Sequence, residues 1–310
     1  MKINRYIVLL CALTIVYGSF VGAQTSVFSV GVRAGGQTWL PALAEGVTGT
    51  AKERIGAGGA LELRYSLYGH FTDQIGLGFA LGAGIGYGTT ALKGTNTDVF
   101  SNTDYLNNRL DYTVTSSFLQ SDRGLQTDVS LLLAFRCWGL TVNVGPRLMM
   151  PLATHSTLRI DEATIKAYYP QYDVSVTNEL ITGRLEMPYT RPADVNLPRY
   201  NLLIGVEVGY EWQFSEQHGM GVQLYANTAV WNNYQSQPAR LFISVEPIMN
   251  AQQPVPAVNV AGSAEGLLSN RRYLDFGLRA YYTFSVRSAY RAHRTSSRDS
   301  RNHHNRYLWY

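Results

Sequence analysis

The chain has 310 residues, which is enough for one large β-domain. Charged residues make up 15%, well below the usual quarter, whereas glycine (29) and tyrosine (21) are abundant. Beyond the first residues there is no run of about 18 apolar residues, which excludes a membrane-spanning helix.

The N-terminus has the three parts of a secretory signal. Lys2 and Arg5 give a basic start, residues 6–17 form an apolar core, and Val21-Gly22-Ala23 is a small-residue cleavage site. Removal of this leader leaves Cys137 as the only cysteine, so the exported chain is expected to have no intramolecular disulfide.

Alternation of apolar and polar residues then predicts a series of β-strands. In the clearest one, every odd position from Ile75 to Tyr87 is apolar or alanine, and every even position is glycine or alanine. So much glycine is incompatible with a helix. The glycine face would let bulky side chains from opposite walls fill a narrow interior. The predicted strands cover residues 27–35, 58–68, 75–88, 125–136, 140–150, 201–214, 220–227 and 272–286.

The central hairpin, residues 125–150, shows the pattern most fully. Leu131 and Leu133 lie on an apolar face, Asp128 and Arg136 lie on the other, and Trp138-Gly139 reverses the chain. A soluble sandwich would bury the apolar face, whereas a transmembrane barrel turns it toward lipid and keeps the polar face inside.

The connections favour the barrel. They alternate between long and short, the long ones being near 36–57, 89–124, 151–199 and 231–271. Short turns on one side and long loops on the other are typical of transmembrane barrels. Aromatic residues cluster near the short turns, as in an interfacial girdle: Phe135, Trp138, Trp212, Phe214 and Phe284. The predicted fold is all-β, an eight-stranded antiparallel up-and-down transmembrane β-barrel with long extracellular loops.

The inward faces carry equal numbers of opposite charges. Charges inside a narrow barrel must be paired, and eight strands leave room for side chains but little for water. We therefore predict a salt-bridged plug, not a wide pore. Its members are Arg33, Glu62, Arg64, Asp128, Arg136, Arg147, Glu207, Glu211, Asp275 and Arg279.

Two further features concern partners. Aromatic residues in the long loops are candidates for surface recognition, although they could equally pack the loops together; they are Tyr168, Tyr169, Tyr172, Trp231 and Tyr234. The last 24 residues contain six arginines and one aspartate, which suggests either a solvated extension or a segment that docks on an acidic periplasmic partner or cell-wall polymer. The predicted divisions are a signal peptide (1–23), a barrel (24–286) and a basic periplasmic tail (287–310).

The pattern resembles the small OmpA-like and PorT-like outer-membrane barrel families of Bacteroidota. The resemblance is carried by Asp128–Arg136, by Gly139-Leu140 through Val144-Gly145-Pro146, and by a terminal strand that ends in the aromatic Phe284. It covers roughly residues 24–286 and is specific for the fold, not for function. This chain departs from the pattern by continuing past Phe284 and by its long third and fourth outer loops.

Three functions stay open at this point: a structural or surface-binding platform in the bacterial outer membrane, an accessory of a protein secretion machine, and a narrow solute channel. None of the six histidines falls on a strand wall beside a serine, so we predict no enzyme, catalytic residue, cofactor or metal. The expected partners are outer-membrane lipid or lipopolysaccharide and the barrel-assembly machinery, with no role for nucleic acid.

Overall fold

The computed structural model describes residues 24–72, 75–104, 106–177, 182–183, 185–193, 199–230, 240–246 and 257–287. The predicted signal peptide, residues 1–23, and the predicted tail beyond Arg287 lie outside these residues. The strands are β1 Gln24–Leu43, β2 Thr48–Arg54, β3 Gly56–His70, β4 Ile75–Thr103, β5 Arg109–Cys137, β6 Leu140–Tyr169, β7 Val174–Val176, β8 Tyr189–Pro192, β9 Asn201–Gln213, β10 His218–Ala229, β11 Phe242–Glu246, β12 Ala257–Val260 and β13 Leu268–Arg287, with a short 3₁₀ helix η1 at Ala264–Leu267.

Eight of the strands form a closed ring of antiparallel neighbours. The order around the ring is β1, β3, β4, β5, β6, β9, β10 and β13, and β13 returns to β1 with Phe28 opposite Phe284. Closure leaves no free sheet edge in the barrel wall. The predicted fold class, an all-β eight-stranded up-and-down barrel, is confirmed.

Short turns join the strands at one end, which we call the short-turn end. Between β5 and β6 the turn has only two residues, and both have positive φ, 49° at Trp138 and 85° at Gly139. This is the geometry of a type I′ hairpin, which glycine adopts without strain. The termini of the described barrel, Gln24 and Arg287, lie at the same end.

At the opposite, long-loop end, several strands run far beyond their predicted limits. β4 and β5 have 29 residues each and β6 has 30. Most of 89–124, predicted as a connection, is instead the paired far halves of β4 and β5, and the first part of 151–199, also predicted as a connection, is strand as well. β6 continues unbroken to Tyr169 there.

The direction of the apolar face reverses along these long strands. On β4, Leu81 and Ile85 point outward and are 54% and 48% exposed, whereas Leu92 and Phe100 point inward and are buried. The last outward apolar row pairs Tyr87 with Leu125 on β5. We call the outward apolar surface on the short-turn side of this row the apolar belt. We call the extension beyond it the upper sheet, formed by β2 and residues 91–103, 109–123 and 154–169.

A second core lies inside the upper sheet. β11 and β12 pair with each other and, together with η1, insert into the mouth of the barrel; we call residues 240–246 and 257–268 the cap. Apolar side chains of the cap pack against the inward face of the upper sheet. The buried members include Leu92, Phe100, Leu110, Tyr112, Val114, Phe118, Leu158, Ile160, Leu241, Phe242, Val245 and Leu267.

Candidate functional site: the filled barrel and its cap

All ten residues predicted for the interior charge network point into the barrel. They come from six of the eight ring strands, and nine of them form ion pairs within the set. The tenth, Asp275, accepts hydrogen bonds from Tyr225 Oη at 3.2 Å and Asn227 Nδ2 at 3.0 Å.

Glu62 on β3 is the node of the network. Its side chain is fully buried and is surrounded by guanidinium groups: Arg64 Nη2 at 2.6 Å, Arg33 Nε at 3.0 Å and Arg279 Nε at 3.0 Å. A lone carboxylate at this depth would be strongly destabilised by loss of hydration. The three arginines around Glu62 offset that cost, and their contacts hold its side chain in one position.

Glu207 on β9 forms a second node, from across the barrel. Arg64 donates two parallel hydrogen bonds to it, Nη1 to Oε2 at 2.6 Å and Nη2 to Oε1 at 2.8 Å. Arg147 Nη2 at 3.0 Å and Asn143 Nδ2 at 3.1 Å complete its shell. Such fork-to-fork pairs combine strength with a fixed geometry.

Small residues on β4 make room for these side chains. A Cβ added at Gly84 would lie 2.8 Å from Asp128 Oδ2 and 3.2 Å from Arg33 Nη2, two atoms that are themselves in direct contact. The glycine face of this strand therefore receives side chains from other walls, as its sequence predicts.

Arg271 on β13 ties the cap to the barrel mouth, and sequence analysis missed it. It contacts Glu53 of β2, Asp122 of β5 and Glu265 of η1, at 2.8, 2.8 and 2.9 Å. Burial raises the pKa of Glu53 above its usual value, although Arg271 acts in the opposite direction. Arg271 has the same strand parity as the inward Arg279, which is the signal that could have placed it inside.

Some space remains between the network and the cap. The described residues there leave a cavity of about 50 Å³, lined among others by Gln37, Trp39, Met149 and Tyr273. That volume has room for a few water molecules.

The predicted recognition residues in the loops separate into two kinds. Tyr169 packs against the core beneath the cap, so it is structural. Tyr172, 63% exposed, and Tyr168, whose Oη donates to Asp173 Oδ1 at 2.8 Å, lie on the surface around the β6–β7 turn. Trp231 and Tyr234 lie outside the described residues.

Two other features are absent from the described part of the chain. No group of three or more His, Cys, Asp or Glu residues is placed to hold a metal ion there. Within the same residues, no helix is long and apolar enough to cross a membrane.

No sequence family and no curated protein matches the chain. Solved structures with a similar strand arrangement include neisserial surface protein A (10% identity, TM-score 0.24, covering 84% of this chain and 96% of that one). Two others are the outer-membrane protein OprG of Pseudomonas aeruginosa (9%, 0.28, 86% and 97%) and the outer-membrane protease OmpT of Escherichia coli (9%, 0.23, 85% and 97%). TM-scores of this size are too low to support an argument about this chain.

Proposed function

We propose that the chain is a non-enzymatic protein of the bacterial outer membrane, in which a sealed barrel anchors a rigid surface platform. The observation that carries the proposal is the reversal of the apolar face at the row of Tyr87 and Leu125. On one side of this row the wall is apolar outside and ionic inside; on the other it is polar outside and apolar inside. Only the first arrangement suits a wall surrounded by acyl chains.

The apolar belt is continuous around the barrel, which supports the membrane assignment. Each wall strand contributes outward apolar side chains, for example Val30 at 52%, Leu131 at 52% and Val222 at 42% exposure. A soluble monomer rarely exposes so large a patch. Exposed aromatic residues mark the short-turn edge, as at a membrane interface; they include Phe71, Trp138, Trp212 and Phe214.

The platform role follows from the two ends of the molecule. Long loops of such barrels face the cell exterior, so the upper sheet and the cap would be displayed at the surface. The apolar core beneath the cap and the ion pairs of Arg271 hold the upper sheet and the cap in one arrangement. Rigid scaffolds that carry exposed loops are common binding surfaces. Tyr168 and Tyr172, around the β6–β7 turn, are the candidate contact residues.

Cysteine labelling in intact cells tests the location and the orientation together. Cys137 lies beside the β5–β6 turn, at the short-turn end, and Tyr172 lies at the other end. A membrane-impermeant maleimide is expected to label a Cys137→Ser/Tyr172→Cys variant in intact cells, and to label Cys137 of the unaltered chain only after the outer membrane is permeabilised. Labelling of Cys137 in intact cells, with Tyr172→Cys unreactive, would overturn the proposal.

Other expectations from the sequence concern a solute channel, the protein's family and its partners. The filled interior argues against a solute channel. Membership of the OmpA-like or PorT-like families, a role beside a secretion machine and an acidic periplasmic partner depend on the resemblance or on residues 288–310, which lie outside the described part, and they stay predictions. Recognition by the barrel-assembly machinery would follow from any outer-membrane barrel fold.

A further inference from the structure

One side of the upper sheet carries an unbalanced set of positive charges just beyond the apolar belt. Lys52 and Arg54 on β2, Lys93 on β4 and Arg123 on β5 all point outward and are exposed. Within the described residues no carboxylate forms an ion pair with any of the four. The inward charges of the same strands differ in this respect, because Glu53 and Asp122 each form an ion pair with Arg271.

The strand register brings these cations together. Lys52 lies directly opposite Lys93, so their Cβ atoms are about 5 Å apart, and like charges in this position destabilise a sheet. Arg54 pairs with Ala91 from one side of β4, and Arg123 pairs with Thr89 from the other. The two guanidinium groups therefore approach the same short segment of β4 from both flanks.

A groove lies between the two arginines. It has a volume of about 400 Å³, and Ser121 and Thr157, neighbours across β5 and β6, contribute hydroxyl groups to its lining. Asp122 also borders the groove, but its carboxylate is held by Arg271. The groove thus offers two guanidinium forks and hydroxyl donors, which is the donor set that suits a phosphate group.

The height of the groove indicates where the phosphate would come from. Arg123 is two residues beyond Leu125 on the same face, about 7 Å along the strand from the last apolar row. That is the level at which lipid headgroups meet the acyl region. A groove that opens sideways from the wall, not upward from the mouth, faces neighbouring lipid.

We propose that this groove binds the phosphate groups of the phosphorylated glycolipid that forms the outer leaflet, with Arg54 and Arg123 as the main contacts and Lys52 and Lys93 in support. The inference rests on the proposed outer-membrane location. It deepens that proposal by assigning a lipid site to one face of the molecule.

Native mass spectrometry of the full chain in non-ionic detergent tests this site. The probes are diphosphoryl lipid A, the same lipid without its phosphates, and inorganic pyrophosphate. An Arg54→Gln/Arg123→Gln variant is compared with Lys166→Gln/Arg272→Gln, which also removes two exposed outward cations, one high on β6 and one on the opposite wall. Folding of each variant is checked by its mobility on unheated gels.

The unaltered chain is expected to retain diphosphoryl lipid A and to lose most binding to the dephosphorylated lipid. The Arg54/Arg123 variant should bind the phosphorylated lipid about tenfold more weakly or worse, because two charge-assisted contacts are gone, and the control variant should bind as the unaltered chain does. Equal binding by both variants, or equal binding of both lipids, would overturn the proposal. Pyrophosphate that binds as tightly as the lipid would also overturn it, since the groove would then be a site for free anions.

If the Arg54/Arg123 variant does not fold, Arg54→Lys/Arg123→Lys decides, because it keeps the charge and removes the forks. Weaker binding by this pair supports the proposal, and unchanged binding contradicts it. A failure here is distinct from a failure of the membrane assignment, which the labelling of Cys137 and of Tyr172→Cys reports independently.

Discussion

Arg64 and Glu207 join opposite walls of the barrel. Their strands, β3 and β9, are four steps apart in a ring of eight, and the two side chains meet through paired hydrogen bonds of 2.6 and 2.8 Å. A second such bridge, Arg271 to Asp122 at 2.8 Å, crosses the mouth between β13 and β5. Two ionic bridges across the full width, one within the belt and one above it, make the barrel a filled cylinder.

The first prediction concerns the charge balance of the network. Glu207→Gln keeps the shape of the side chain but leaves five arginines facing four carboxylates. We expect a loss of about 3 kcal/mol in the free energy of unfolding, since an uncompensated buried charge is costly. Urea unfolding followed by tryptophan fluorescence measures it.

Glu216→Gln is the matched control, because Glu216 is exposed in the turn between β9 and β10. It should change stability by less than about 0.5 kcal/mol. If the two variants unfold at the same urea concentration, the balance of buried charges in the network does not stabilise the fold.

The second prediction concerns the room that glycine provides. Gly84→Val introduces atoms where Asp128 and Arg33 meet, and it should destabilise the barrel by about 1–3 kcal/mol through overpacking. Ala83→Val introduces the same side chain at the preceding residue, which points outward, and should be tolerated. Thermal unfolding of both variants in detergent separates the two outcomes; a more stable Gly84→Val variant would contradict the packing described here.

The third prediction concerns the attachment of the cap. Arg271→Leu removes the one cation that three carboxylates share, so the cap should open locally while the barrel stays folded. Amide hydrogen exchange in residues 241–246 and 257–268 should quicken by about tenfold or more. Arg272→Gln, which changes an exposed neighbour, should leave exchange unaltered.

The fourth prediction is a pH dependence with a definite sign. The folded pKa of Glu53 is raised above its usual 4.5, chiefly by burial, so the folded state holds its proton more tightly than the unfolded state does. The stability this site contributes is therefore fully present below 4.5 and is lost as the pH rises through the folded pKa.

Cap protection, corrected for the intrinsic exchange rate, should accordingly increase as the pH falls from neutral toward 4.5. Glu53→Gln should remove this component, because glutamine does not titrate. If cap protection instead decreases as the pH falls, and does so equally in the unaltered chain and in the Glu53→Gln variant, then Glu53 does not titrate in this way.

Period-two alternation was sufficient to predict the eight wall strands and the direction of their faces. It identified the inward charges because parity alone decides which side a residue such as Arg33 or Glu207 takes. The pairing partners could not be predicted, because Arg64 and Glu207 are 143 positions apart and their contact depends on how the ring closes.

The upper sheet was harder to predict for a physical reason. Beyond Tyr87 the apolar residues change sides, and threonine and serine on the outward face made residues 89–124 look like a polar connection. β6 also contains two irregularities, at Leu152 and Asp161, each of which shifts the parity by one. Arg271 was missed because its partners Glu53 and Glu265 lie in what looked like loops.

Ion conductance of the purified full chain in a planar bilayer tests the central claim most directly. A barrel bridged by Arg64 and Glu207 within the belt and closed by the cap above should show no sustained open level at moderate voltage. A steady, ohmic conductance in the unaltered chain would contradict the account, because it requires a continuous water path through the space that these side chains occupy.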